Sequence, residues 1–266
     1  MESNLFNFNL QSYHNMLTSA LDVGYEFISF VKAKSLTTET PNLNSGTCIL
    51  RHDIDVNVNF ALKMAELEYD LGIRSTYFLM FRSPFYNLSS RHSQDCAEKI
   101  IDLGHEIALH YDLGYDTLKG YSSTRSIKEI NSQVAWMEDL FCCNVASVSF
   151  HQPSQALLSD GINISPRLNT YEKSLKSKYT YFSDSNRNIS LLKQFKNKEN
   201  LKDKELLSVR YPEDIQLLIH PIWWVLDDAD INIVWNKAII DNFETAQLQA
   251  LSTEGKFGNK RSLEIK

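Results

Sequence analysis

The stretch LRHDID, residues 50–55, places His52, Asp53 and Asp55 directly after an apolar run, Cys48-Ile49-Leu50. His110 and Asp112 close a second apolar stretch, His151 stands in SFHQP, Asp184 in FSDS and His220 in LLIHPIWW. An imidazole or a carboxylate therefore follows each of these short apolar runs. This is the donor set a divalent metal takes. Neutral imidazole supplies nitrogen and carboxylate supplies oxygen, and catalytic zinc typically keeps three protein ligands plus a water. Such an ion lowers the pKa of water and polarises a carbonyl. A spare carboxylate can then act as base and a spare histidine as acid. Each residue alone also has a plainer use. Asp53 or Asp55 could cap a helix starting near Asn57, and a single His after a strand is commonly a satisfied core or cap residue. Trp223-Trp224 could be core, or could wall a sugar pocket. His105, beside Gly104, reads as structural, and His14 and His92 receive no role.

The elements that must position these residues alternate along the chain. Residues 10–22 have a helical apolar stripe, and 25–30 read as a short strand. Residues 33–46, with Pro41 and Gly46, read as a loop. Strands are expected at 47–53, 75–80, 106–110, 146–150, 179–182 and 215–219. Helices are expected at 57–71, 93–103, from the capping box Ser126-Ile127-Lys128-Glu129 onward, and at 231–251. Strand and helix in this rhythm imply βα units and a parallel sheet. Closed as a barrel, such a sheet puts its functional groups at the C-terminal strand ends; an open doubly wound sheet does the same at its switch point.

Composition sets the outer bounds. The chain has 266 residues, 43% hydrophobic and 23% charged, enough for a sizeable core. A net charge of −6 argues against a nucleic-acid partner. The lysines between Arg187 and Lys204 are interleaved with acids and read as a solvated face. No signal peptide and no membrane-spanning run is read, so the expected location is cytoplasmic. Cys48, Cys96, Cys142 and Cys143 form no C-x-x-C pair and read as reduced thiols.

At these residues the sequence resembles the polysaccharide deacetylase (NodB-homology) family, specifically a divergent bacterial branch found with surface-polysaccharide synthesis. The resemblance covers about residues 47–225. RHDID offers Asp53 and Asp55 for the family's Asp-Asp pair, of which one is base and the other binds metal. GHEIALH (104–110) is close to the family's G-H-E-I-x-x-H and points to His110 as a ligand. FHQP falls where the family has Arg-x-Pro, and LLIHP matches the late strand that ends in the general acid, here His220. DIQLLIHPIWW and GIRSTYFLMFRSPFYNL are similar to the divergent branch. The implied fold is α/β, a distorted (β/α)7 TIM-like barrel over 47–251, with an N-terminal helix and strand (1–46) packed on it and a polar tail (252–266). The implied activity is metal-dependent removal of an N-acyl group, N-acetyl by preference, from an amino sugar. Asp53 would be the base and His220 the acid; Asp55, His110 and His151 would hold a divalent metal, zinc by preference. Arg51, Tyr86, Asp184 and Trp223 complete the set as substrate contacts. The substrate would be a cytoplasmic sugar nucleotide or lipid-linked glycan.

Two departures from the family stand out. Ile54 splits the Asp pair, which in a strand leaves both carboxylates on one face; their two roles could be exchanged. The second metal His, four residues after the first, falls on Gly114. His151 is preferred in its place, with Asp112 as the alternative. A non-catalytic glycan- or partner-binding relative, or a hydrolase of another non-peptide C–N bond, are the competing readings.

Overall fold

A computed structural model describes residues 8–36, 46–114, 123–154, 157–158, 162–187 and 214–253. The lysine-rich stretch after Arg187 and the tail beyond Thr253 lie outside the described residues. The chain opens with α1 (Leu10–Asp22), β1 (Glu26–Phe27) and α2 (Phe30–Leu36). There follow β2 (Thr47–Ile54), α3 (Val58–Asp70), β3 (Thr76–Leu79), α4 (Arg91–Asp102), β4 (Glu106–Asp112), α5 (Ser123–Phe141) and β5 (Ser147–His151). The last part holds β6 (Leu168–Asn169), α6 (Lys173–Lys178), β7 (Thr180–Ser183), β8 (Asp214–Ile219), α7 (Ile222–Val225) and α8 (Ile231–Thr253).

Every strand pair is parallel, in the order β6-β5-β4-β3-β2-β8-β7. β1 pairs with the first residues of β2, on the side that β3 takes further along. Parallel strands are buried on both faces and so consist of continuous apolar runs; β2 and β8 are buried almost throughout. The sheet is strongly curled. In a flat sheet β2 and β5, three places apart, would lie about 14 Å from each other. Instead Asp55, just past β2, stands 3.2 Å from His151 at the end of β5. The result is the distorted (β/α)7 barrel. Among the described residues its edges β6 and β7 do not pair, so a seam remains there, with the Tyr171 and Tyr181 rings 6.4 Å apart across it.

The lower interior of the barrel is largely apolar. Ile49, Phe78, Ala108, Leu168 and Tyr179 pack against Phe30 and Ala33 of α2, which plugs the bottom. Period-two alternation along β2 then lifts Arg51, Asp53 and Asp55 into the upper interior above Ile49. A second core cluster lies outside, where α1 packs with Cys48 and Leu50 of β2, with Ile215, Leu217 and Ile219 of β8, and with Trp224. The largest cluster sits between the sheet and α3, α4 and α5.

Several local expectations change. Residues 30–36 are helical, where 25–30 read as strand and 33–46 as loop, because Phe30 and Ala33, spaced for one helix face, are both fully buried. The capping box at Ser126 does not start its helix, which begins at Ser123. Glu129 is engaged instead by Arg125, Arg82 and the Tyr111 hydroxyl. The helix after β2 is capped by Asn57, whose Oδ1 accepts from Asn59 N at 2.8 Å and Phe60 N at 3.2 Å. Such a cap contributes about 1 kcal/mol. It leaves Asp53 and Asp55 free of that duty.

Candidate metal centre and active site

Three ligand-type atoms meet at the top of the barrel. Asp55 Oδ1 lies 3.1 Å from His110 Nε2 and 3.2 Å from His151 Nδ1, and the two ring nitrogens are 3.2 Å apart. Donors about 2.1 Å from one ion at tetrahedral angles stand about 3.4 Å from each other. The triangle therefore fits a divalent ion in both chemistry and spacing. Asp55 Oδ1 is buried and accepts no well-aligned hydrogen bond, despite its nearness to both rings. Its carboxyl is held well below the usual range: burial pushes it up, but the His110, His151 and then His220 rings, when protonated, more than reverse that.

The tautomer of His110 follows from its other side. Ser149 Oγ donates to Asp53 Oδ1 at 3.4 Å, so its lone pair accepts from His110 Nδ1–H at 2.6 Å. Nε2 then faces the triangle as an unprotonated donor, the arrangement that second-sphere partners impose on metal-binding histidines. Ser149 is two residues before His151 on β5, so the two share the inward face. Alternation could have picked it out; a serine within an apolar run gives no other sign. Gln152, next along, has a left-handed φ of 45°, which turns the chain away directly after His151.

Asp53 is 3% exposed and paired with Arg51, Nη2 to Oδ2, at 2.8 Å. Burial raises its carboxyl, but Arg51, followed by His110 and His220, brings the balance below the ordinary value. His220, at the end of β8, has Nδ1 2.6 Å from Asp184 Oδ1, and its Nε2 faces Asp55 Oδ2 at 3.9 Å. Burial lowers this imidazole, yet Asp184, then Asp55 and Asp53, drive it up to about 9. This favours the protonated ring at neutral pH.

The structure thus brings Asp53, Asp55, His110, His151 and His220 to one cavity of about 710 Å³, with Trp223 on its wall. Three residues read as substrate contacts sit elsewhere. Arg51 is fully buried between Asp53 and Tyr171, with its guanidinium over the Phe78 and Tyr171 rings. The Tyr86 hydroxyl donates to Ile54 O and accepts from Met80 N, tying the ends of β2 and β3. Asp184 spends both oxygens on His220 and Trp224: Oδ2 accepts from His220 N and from Trp224 Nε1, each at 2.8 Å. It positions the imidazole and does not face the cavity. Asp112, the alternative ligand, turns back to accept from Gly114 N at 2.8 Å.

On the opposite face of β2, His52 Nε2 stands 2.7 Å from Glu68 Oε1 and stacks on Tyr77. Glu68 is fully buried and also accepts from Tyr13, Ser75 and Tyr77. His105 bonds the backbone at Ala65 and Ser75.

What the fold and the site define is a curled parallel barrel with a carboxylate–imidazole triangle, a buried carboxylate and a half-buried, carboxylate-paired imidazole at its strand ends. No family model matches the chain, and no curated protein matches it. Solved structures do. IcaB from Ammonifex degensii is 14% identical, with 61% of this chain and 77% of that chain covered at a TM-score of 0.45. The deacetylase PplD of Streptococcus pyogenes, in complex with acetate, is 12% identical, with 62% and 65% covered at 0.43. BA3943 from Bacillus anthracis, a CE4 family pseudoenzyme, is 13% identical, with 77% and 63% covered at 0.39. The match spans less than two thirds of the latter two chains. These are likenesses of chain path. Among the described residues, no helix is long and apolar enough to cross a membrane.

Proposed function

We propose that the protein is a metal-dependent hydrolase of the polysaccharide deacetylase type, removing an N-acyl group, N-acetyl by preference, from an amino sugar in surface-polysaccharide synthesis. The observation that carries this reading is the triangle of Asp55 Oδ1, His110 Nε2 and His151 Nδ1, with edges of 3.1–3.2 Å, lying between a carboxylate and an imidazolium. A divalent ion held there would supply Lewis acidity, polarising the amide carbonyl and acidifying a water.

The chain's own residues supply the proton handling. Asp53 is ionised at neutral pH and has Oδ1 toward Ser149, so it can accept the proton of the attacking water. Arg51 fixes its Oδ2 and keeps the carboxylate from rotating. His220, kept charged by Asp184, can give its Nε2 proton to the leaving amine; amide cleavage needs that proton because an amide anion is a very poor leaving group. Base and acid are thereby held in opposite protonation states by different neighbours in one cavity. Trp223 offers an indole wall suited to a sugar face.

The test is direct. The purified protein is loaded with zinc, cobalt, nickel or manganese, its metal content is measured, and it is incubated with N-acetylated amino sugars. One ion per chain, lost in Asp55→Ala, together with acetate release, is the expected result. A protein that takes up none of these ions in excess would sink the reading.

A further inference from the structure

The cavity extends well below the triangle. Along β8 the inward residues are Gln216, Leu218 and His220, and all three line it. At about 3.3 Å per residue, Gln216 lies about 13 Å below His220. Its register partners are Ile49 in β2 and Tyr181 in β7, which places it beside the open seam. Across the seam, Thr170 follows β6 and also lines the cavity. Gln216 is 3% exposed and Thr170 1%. Among the described residues neither Gln216 Nε2 nor Thr170 Oγ1 has a hydrogen-bond partner. Buried polar groups are nearly always paired, and an unpaired one is destabilising. Two of them facing one cavity form a prepared surface for a polar ligand.

The surroundings narrow its chemistry. Tyr171, Tyr179 and Leu218 wall this part of the cavity. Arg51 pairs with Asp53 and does not line the cavity, and the Lys176 ammonium donates to Leu158 O. A phosphate or carboxylate would want an uncommitted cation. A plain alkyl chain would leave the amide and the hydroxyl both unpaired. An amide, a hydroxyl and aromatic faces together suit a neutral, hydroxyl-bearing group.

We infer that Gln216, about 13 Å below His220 along β8, and Thr170 form a second recognition point of the same site that binds a neutral hydroxyl-bearing part of the substrate and selects for it. This deepens the hydrolase reading and rests on it only for which bond is cut. The group could belong to a second sugar ring or to a hydroxylated acyl chain.

The test is calorimetric binding to the metal-loaded protein of four probes: N-acetylglucosamine, its β-linked dimer, N-butanoylglucosamine and N-(3-hydroxybutanoyl)glucosamine. Either the dimer or the hydroxybutanoyl compound should bind about tenfold more tightly than N-acetylglucosamine, as one good hydrogen bond in a dry site allows. A gain for the dimer identifies a ring; a gain for the hydroxybutanoyl compound over the butanoyl one identifies the acyl chain. Gln216→Leu, and separately Thr170→Val, should shrink that preference toward one. Neither probe gaining, or the gain surviving both substitutions, overturns the inference. Melting temperature is a second readout: removing an unpaired amide in Gln216→Leu should leave it unchanged or raise it, and a fall of several degrees would mean that the amide is bonded within the protein, which also overturns it. Selective binding without hydrolysis would refute the hydrolase reading alone, and hydrolysis without selective binding would refute the second recognition point alone.

Discussion

Replacing Asp184 by Asn separates the role of its charge from that of its shape. Asn can still present an oxygen to its neighbours, but it loses the charge that lies 2.6 Å from His220 Nδ1. Burial alone lowers this imidazole, and Asp184 is foremost among the groups that raise it to about 9. Without that charge the pKa should fall toward the ordinary 6.5, with burial lowering it and Asp55 and Asp53 still raising it. At pH 7.5 an imidazole of pKa 9 is about 97% protonated and one of pKa 6.5 about 9%. If His220 is the acid, kcat should drop at pH 7.5, by up to about tenfold, and hardly at all at pH 5.5. The assay is kcat from pH 5.5 to 9, read as the ratio of variant to wild type at each pH, so that titration of the metal ligands, common to both proteins, cancels. The sign is fixed: a raised imidazole pKa keeps the acid present up to a higher pH, so the variant loses activity as pH rises. A ratio that is depressed but flat with pH would refute the argument, because misplacement of the ring would then be the whole effect.

Three further outcomes follow from the same geometry. Ser149→Ala removes the acceptor that orients His110, and metal affinity, measured by competition with a chelator, should weaken about 10- to 100-fold; unchanged affinity would mean that the hydroxyl is incidental. Arg51→Met leaves Asp53 buried and unpaired, so denaturant unfolding should show a loss of about 3–5 kcal/mol. The acid limb of the pH–rate profile should also move upward, since Arg51 is the main group holding Asp53 low. Glu68 is likewise held below its ordinary value: burial opposes ionisation but His52 and other neighbours outweigh it. Its contribution to stability is therefore present above the unfolded pKa of about 4.5 and lost as pH falls below it. Glu68→Gln should be less stable at pH 7 but lose stability less steeply below pH 4.5 in urea titrations; parallel curves would place the acid sensitivity elsewhere.

The barrel was legible because parallel strands have a strong signature. The run before Arg51 is apolar on both faces, those before His151 and His220 are apolar on the outer face with Ser147, Ser149 and Gln216 turned inward, and each stops where the charge begins. What escaped was short or tertiary. β6 is two residues long, too short for any periodicity. α2 hides in a polar segment because only Phe30 and Ala33 need to face inward. The gathering of Asp53, Asp55, His110, His151 and His220 could be anticipated from strand ends alone. The division of labour around them could not. Asp184, Tyr86 and Arg51 are polar residues near strand ends, as site residues are, and only their partners distinguish support from contact. The backbone and indole donors that hold Asp184 belong to His220 and Trp224, 36 and 40 residues away.

The two faces of β2 also bear on how the strand finds its place. Arg51 and Asp53 point into the barrel, while His52 points out to Glu68. A slip of one residue against β3 and β8, in the direction that carries Asp53 to the place of His52, would exchange these faces. Asp53 would then meet Glu68 in a dry pocket, two carboxylates with no cation between them, and His52 and Ile54 would turn inward where Tyr171 expects a guanidinium. The mispaired strand is penalised on both sides at once. The residues proposed to perform the chemistry thus also act as a registration key, setting the native alignment of the central strand against the slip that would bring Asp53 to Glu68.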